Sequence, residues 1–399
     1  MALFSSVTEA PRDPILGLTE AFNADDNPQK VNLAVGVYYD DDGKIPLLEC
    51  VRAAEQQLAA NPSARGYLPI DGMKAYDNAV KSLVFGEDVD PDRIATAQTL
   101  GGTGALRVGA DFLRRLYPGA KVLLSDPSWE NHRGVFSTAG FDVETYPYYD
   151  ADARGVRVDD MLSTLSQAAA GTIVVLHACC HNPTGYDLTD EQWDQVVAVV
   201  QDRGLVPFLD MAYQGFGDGI AEDGAVIGRF AAADIDFLAA TSFSKNFSLY
   251  GERVGGLSAF CSDPEEAKRV LSQLKVLIRT NYSNPPTHGA AVVSTVLTDD
   301  ALRAKWQTEL AGMRDRIRDV RSSLVEGLQA AGVTDDVEYI TTQRGMFSYS
   351  GLSKEQMERL RSEFGVYGTD TGRICVAAIN KGNIDHVVKA IAAVLQRTH

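Results

Sequence analysis

The sequence predicts an α/β protein with a largely parallel β-sheet covered by helices on both faces. Short apolar runs, "AKVLLS" (120–125), "GTIVVLH" (171–177), "LVPFLD" (205–210), "DFLAATS" (236–242) and "GGLSAF" (255–260), alternate with helical patterns. Strands without polar alternation are those buried on both sides, as crossover helices require. One helix declares both of its ends. In "LTDEQWDQVVAVVQDRG", Thr189 and Gln192 form a capping box, Trp193, Val196, Val197 and Val200 share one side, and Gly204 occupies the position after the last turn.

The chain has 399 residues, enough for two or three compact units. A periodic stretch over 302–332 exceeds twice the usual helix length and reads as a connection between two of them, with a boundary near 310. Beyond it, "VEYITTQRGMFSYSGL", the helical "SKEQMERLRSEFG", the strand "GRICVAAI" and the helical "NIDHVVKAIAAVLQR" form a smaller α+β tail that the N-terminal segment can join.

A formal net charge of −17 repels nucleic acid and anionic membranes, so neither is an expected partner. No apolar run reaches the roughly 18 residues of a membrane span, and the N-terminus lacks the pattern of a secretory signal. A cytoplasmic location is the expectation. The five cysteines, Cys50, Cys179, Cys180, Cys261 and Cys375, show no CxxC spacing and read as reduced, buried thiols, with no metal expected.

Several strand-like runs end in reactive residues: Asp126 after "LLS", His177 in "VVLH", Asp210 in "PFLD", and Ser242, Ser244 and Lys245 in "TSFSK". Ligands of open α/β sheets sit beyond the carboxyl ends of strands, so these groups are expected in one crevice. The segment "TLGGTGALRVGADFLRRL" adds Gly101, Gly102, Thr103 and Gly104 ahead of an amphipathic helix, whose N-terminal amides and positive dipole end suit an anion. Alone, such a segment is more often a simple turn; Ser242, Ser244 and Arg253 strengthen the anion reading.

Most lysines are solvated surface groups with no role, but Lys245 follows a buried strand and stands among Phe243, Phe247, Leu249 and Tyr250, where partial desolvation would lower its pKa and make it a nucleophilic amine. In "DMAYQGF", Asp210 and Tyr213 serve one site only if the chain turns between them; otherwise the aspartate is a helix cap. Taken together, an amine for an aldehyde, an anion cradle for a phosphate, a carboxylate for a ring nitrogen, and Tyr213 with Asn182 for a phenolate oxygen match pyridoxal 5'-phosphate, with Trp129 stacked on the ring.

The strings "GGTGAL", "SDPSWENH", "HACCHNPTG", "DMAYQGF", "SFSKNFSLYGERVG", "NYSNPPTHG", "RGMFSYSGL" and "GRICVA" resemble, in order and over nearly the whole chain, the class I aminotransferases of the aspartate and aromatic-amino-acid branch. The resemblance implies fold type I: a large domain with a mostly parallel seven-stranded sheet (44–310), a small α+β domain from both chain ends (13–43 with 311–399) and an N-terminal arm (1–12) lying on a partner subunit. It implies that Lys245 binds the cofactor aldehyde and carries the transferred proton, that Asp210 pairs with the ring nitrogen with His132 behind it, and that Tyr213 and Asn182 bind the phenolate. It further assigns the phosphate to Gly102, Thr103, Ser242, Ser244 and Arg253, and the substrate α-carboxylate to Arg373. Gly36, Trp129 and Asn182 also line the substrate, while Tyr67 and Arg279 reach into the partner's site of a homodimer.

The implied reaction is a two-stage, ping-pong transfer of an amino group to 2-oxoglutarate. Arg279 suits a distal carboxylate, whereas "VGVYYDDDGKIPLLECV", "GYLPIDG" and "SLYGERVGGLSAF" resemble aromatic aminotransferases, so tyrosine and phenylalanine are expected alongside aspartate and glutamate. The alternative is an aspartate aminotransferase with little aromatic activity. Decarboxylation or β-elimination would use the same carbanion, but the presence of both Arg373 and Arg279 favours transamination. "YGTDTGR" (367–373) and Ala378 depart from the family pattern beside the carboxylate grip.

Overall fold

A computed structural model describes residues 3–10 and 14–396. These fall into two compact units, each described by itself: one comprising residues 45–318 and 342–346, the other residues up to 44 with 319–341 and 347 onward. The larger unit is organised by a seven-stranded sheet of β1 (Ile94–Leu100), β2 (Lys121–Asp126), β3 (Asp142–Pro147), β4 (Ile173–His177), β5 (Val206–Met211), β6 (Phe237–Ser242) and β7 (Val254–Phe260). Their spatial order is β1-β7-β6-β5-β4-β2-β3, and β7 alone runs antiparallel to its neighbours.

Five of these strands coincide, within a residue or two, with the apolar runs of the sequence. The other two escape that reading for opposite reasons. β1, "IATAQTL", is almost wholly buried but is built from Ala, Thr and Gln, so its chemistry does not announce its position. β3, "DVETYP", is an edge strand with mostly solvent-facing side chains. Under the sheet, Phe136, Phe208, Leu106 and Leu257 pack in one continuous core.

The helix Asp190–Arg203 carries the expected capping box between Thr189 and Gln192, and Gly204 closes it in the left-handed conformation (φ 61°, ψ 41°). The long helix is Asp300–Ala330. The change of unit falls at 318/319 rather than near 310, because the intervening turns are fastened to the larger unit. Arg314 Nη1 donates to the Gly215 carbonyl (3.3 Å) and Arg318 Nη2 to the Gly217 carbonyl (2.8 Å). Residues 342–346 likewise belong to the larger unit, where the Arg344 N–H donates to the Gly185 carbonyl at 2.7 Å. A helix pattern is periodic throughout and carries no mark of either change.

In the smaller unit, Val31–Asn32 pairs in parallel with Val366–Tyr367, and Phe347–Tyr349 pairs antiparallel with Arg373–Cys375. The arm expected over residues 1–12 lies partly outside the described residues. Leu3, Phe4 and Val7 within it are exposed.

Candidate active site

Parallel strands bring their carboxyl ends to one edge of the sheet, and register does the rest. His177 pairs with Asp210 across β4 and β5, and Asp210 with Ala240 across β5 and β6, whose last residue is Ser242. After Met211 the chain turns, closed by the Phe216 N–H donating to the Tyr213 carbonyl at 3.0 Å. The turn required for Asp210 and Tyr213 to serve one site is therefore present. It carries Tyr213 beneath Lys245, whose Nζ lies 5.0 Å from the ring centroid.

Lys245 is half-buried, and this burial pulls its amine down to about 8; the Asp210 charge opposes the shift and the Arg253 charge adds to it. At pH 7 about a tenth of the amine is then uncharged, against well under a thousandth for an ordinary lysine. Burial works to raise the Asp210 carboxyl, but the hydrogen bond from His132, the neighbouring imidazoles and the Lys245 amine outweigh it and hold the group below its ordinary value.

Behind Asp210 runs a chain of polar groups, with His132 buried and Ser128 and His177 half-buried. His132 Nε2 lies 2.7 Å from Asp210 Oδ2, His132 Nδ1 lies 2.9 Å from Ser128 Oγ, and Ser128 Oγ lies 3.0 Å from His177 Nε2. His181 stands beside it, with its ring nitrogens on Ser125 Oγ and Thr184 Oγ1. Burial, aided by neighbouring imidazoles, keeps His177 and His181 well below the usual histidine range, so both are neutral. The Trp129 ring meets His132 edge-on at 5.3 Å. Sequence reasoning missed Ser128 and His181; the four-residue spacings Ser128–His132 and His177–His181 were the only signals. Asp126, by contrast, is exposed and takes no part in this hydrogen-bond chain among the described residues.

The anion cradle also forms, with one change: the glycines lie inside the first turn of the helix Gly101–Leu116 rather than ahead of it. Gly101 adopts φ +68°, and a Cβ there would come 2.5 Å from Arg253 Nη2. A Cβ on Gly102 would stand 3.1 Å from Ser242 Cβ. Arg253 Nη1 donates to Ser244 Oγ at 3.2 Å, and the Ser244 N–H to Ser242 Oγ at 3.3 Å. Helix N-terminus, two hydroxyls and a guanidinium thus meet at one point. Thr103, in the first turn of the same helix, is half-buried, and Asn182 is buried.

Tyr67 is 94% exposed, and Arg279, also exposed, donates to Ser283 Oγ. Gly36 and Arg373 belong to the smaller unit. There Arg373 is buried over the Phe347 ring (4.4 Å) and donates to the Ala34 carbonyl at 2.7 Å. A Cβ on Gly36 would fall 2.6 Å from Phe347 Cζ. The unusual 367–373 turn holds Arg373 in place through Thr369, whose hydroxyl accepts the Arg373 N–H at 3.1 Å. Ala378 is buried.

The family model for aminotransferase class I and II matches residues 28–391. An aspartate aminotransferase of Pseudomonas aeruginosa is 57% identical over 398 residues, covering 99% of this chain and 100% of the relative. An aromatic-amino-acid aminotransferase of Escherichia coli is 52% identical, covering 98% of this chain and 100% of its own. Among solved structures, an aromatic-amino-acid aminotransferase from Burkholderia pseudomallei, covalently bound to pyridoxal phosphate, superposes with a TM-score of 0.97 at 62% identity, covering 99% of this chain and 100% of that one. Matching nearly end to end in sequence and fold, the chain belongs to the class I and II aminotransferases.

Proposed function

We propose that this fold type I enzyme is a pyridoxal-phosphate-dependent aminotransferase that accepts tyrosine and phenylalanine as well as aspartate and glutamate, with 2-oxoglutarate as the acceptor. The observation that carries the reading is the half-buried Lys245 amine, lowered to about 8, between Tyr213, the Asp210–His132 pair and the Gly102–Arg253 cradle. The donor set fits the cofactor: the space that a Cβ on Gly101 or Gly102 would fill is lined by Arg253 and Ser242, as a phosphate needs.

Bound there, pyridoxal phosphate supplies an aldehyde carbon and an electron-withdrawing ring that accepts the electrons of the substrate Cα–H bond. Asp210, held ionised by His132, would keep a proton on the ring nitrogen. Tyr213 and Asn182 would donate to the phenolate oxygen, and Trp129 would cover a ring face. Lys245 Nζ would take the proton from the substrate Cα and pass it to the carbon that was the cofactor's aldehyde. Arg373 binds the α-carboxylate in a bidentate pair.

Breadth of substrate is supported by relatives bearing both the aspartate and the aromatic names. The exposed apolar residues Leu3, Phe4, Val7 and Leu16, with exposed Tyr67 and Arg279, support a homodimer in which the arm covers the partner and Tyr67 and Arg279 complete its site. Five buried free cysteines support a reducing, cytoplasmic setting.

A kcat/KM panel over aspartate, glutamate, tyrosine, phenylalanine and tryptophan with 2-oxoglutarate tests the reading. Aromatic donors within about 100-fold of aspartate support it; values thousands of times lower would make the chain an aspartate enzyme.

A further inference from the structure

We propose that Asn246 is a positioning residue for the Lys245 amine, tying the lysine turn to the tyrosine turn through its side chain while Trp306 holds its carbonyl. The inference rests on the reading of Lys245 as the cofactor lysine. Asn246 is 2% exposed, and its Nδ2 donates to the carbonyl of Gln214, the residue after Tyr213, at 3.2 Å. Its own carbonyl accepts from Trp306 Nε1 at 2.7 Å. The same indole, fully buried, stacks on Phe247 with centroids 4.7 Å apart and planes 22° from parallel. Gln214 is anchored in turn, its Nε2 donating to the Ile220 carbonyl at 2.9 Å.

Both flanks of Lys245 are therefore fixed. Ser244 accepts from Arg253 on one side, and Asn246 is held from two directions on the other. Only the lysine side chain is left to rotate, so Nζ is delivered over Tyr213 with little conformational search.

The chemistry of residue 246 argues that the tie is used. Asn246 Oδ1 is buried with no hydrogen-bond partner among the described residues, a cost that a leucine of similar size would not carry. The amide carries that cost, and its donor end is the end that is engaged. A carboxylate of the same shape would place an acceptor against the Gln214 carbonyl.

The test uses Asn246→Leu, Asn246→Asp and Trp306→Phe, with Lys245→Ala as reference. Trp306→Phe keeps an aromatic ring against Phe247 while removing the N–H together with part of the indole's buried bulk. The first readout needs no cofactor: the Lys245 amine of the cofactor-free protein is followed by reductive methylation with labelled formaldehyde and NMR across pH. The groups whose charge faces this amine are Asp210, which favours its protonated form, and Arg253, which opposes it, with the Tyr213 ring beneath. Asn246→Leu should move the midpoint by about 0.5 pH or more, and Trp306→Phe should move it in the same direction by less. In the loaded enzyme, kcat should fall about tenfold or more while KM for the amino donor stays within about threefold, with Asn246→Asp the most impaired. An unmoved midpoint in both Asn246→Leu and Trp306→Phe overturns the proposal, whatever the rates. Turnover surviving in Lys245→Ala would sink the lysine reading instead, so the two failures are distinguishable.

Discussion

His132 Nε2 lies 2.7 Å from Asp210 Oδ2, and both side chains are buried. A buried carboxylate is costly unless paired and hydrogen-bonded. Here the pair is continued by Ser128 and His177, and the carboxylate keeps its charge, as the proposed pairing with a ring nitrogen requires. Asp210→Asn preserves shape and removes that charge; kcat should fall by about 100-fold or more. His132→Ala should cost about 10- to 100-fold, as loss of an orienting partner does. Steady-state rates within threefold of wild type for Asp210→Asn would refute this role.

The cradle makes a separate, cofactor-affinity prediction. Arg253→Ala removes the cation beside the helix N-terminus, and Gly102→Ala places a methyl 3.1 Å from Ser242 Cβ. Each should weaken pyridoxal-phosphate binding by about 10- to 100-fold, read as a dissociation constant from cofactor absorbance. Inorganic phosphate should compete with the cofactor in the wild type and much less in Arg253→Ala.

The two substrate arginines should separate by specificity. Arg279→Ala should depress kcat/KM for aspartate by about 100-fold while leaving phenylalanine within about threefold, because only the former has a distal carboxylate to lose. Arg373→Ala should depress both alike. Equal losses for aspartate and phenylalanine in Arg279→Ala would contradict the assignment.

Asp77 gives a stability prediction away from the site. It is buried, its Oδ1 has no partner among the described residues, and burial with the Asp71 carboxylate pushes it to about 8 against the charges of Lys81 and Lys275. The folded state thus holds a proton that the unfolded chain releases near the ordinary carboxyl value of 3.8, and stability contributed by the protonated form is lost as pH rises between those two values. Asp77→Asn should raise Tm by about 2–5 °C at pH 8.5, with the gain shrinking steadily toward pH 5. Calorimetry showing no gain at pH 8.5 would argue against it.

Much of this architecture was legible in the linear chain. Strands such as "TIVVLH" and "LVPFLD" are buried on both faces and must be apolar along their length, so their composition reports their position. Thr189, Gln192 and Gly204 mark a helix by local backbone chemistry. β1 was not legible, because small and polar residues can be buried whenever neighbouring strands satisfy their backbone, and that is a property of the pairing rather than of the residues. The unit boundary inside Asp300–Ala330 was hidden for a similar reason: Arg314 and Arg318 look like surface arginines until the carbonyls of Gly215 and Gly217 are set beside them.

By itself the sequence determined which chemical groups stand at the ends of which strands, since local pattern and strand direction need no distant partner. The tertiary structure alone decided what those groups become. The lowered amine of Lys245, the ionised Asp210 and the neutral His177 arise from burial and from charges brought close by folding, and none of the three exists until segments far apart in the chain share one low-dielectric place.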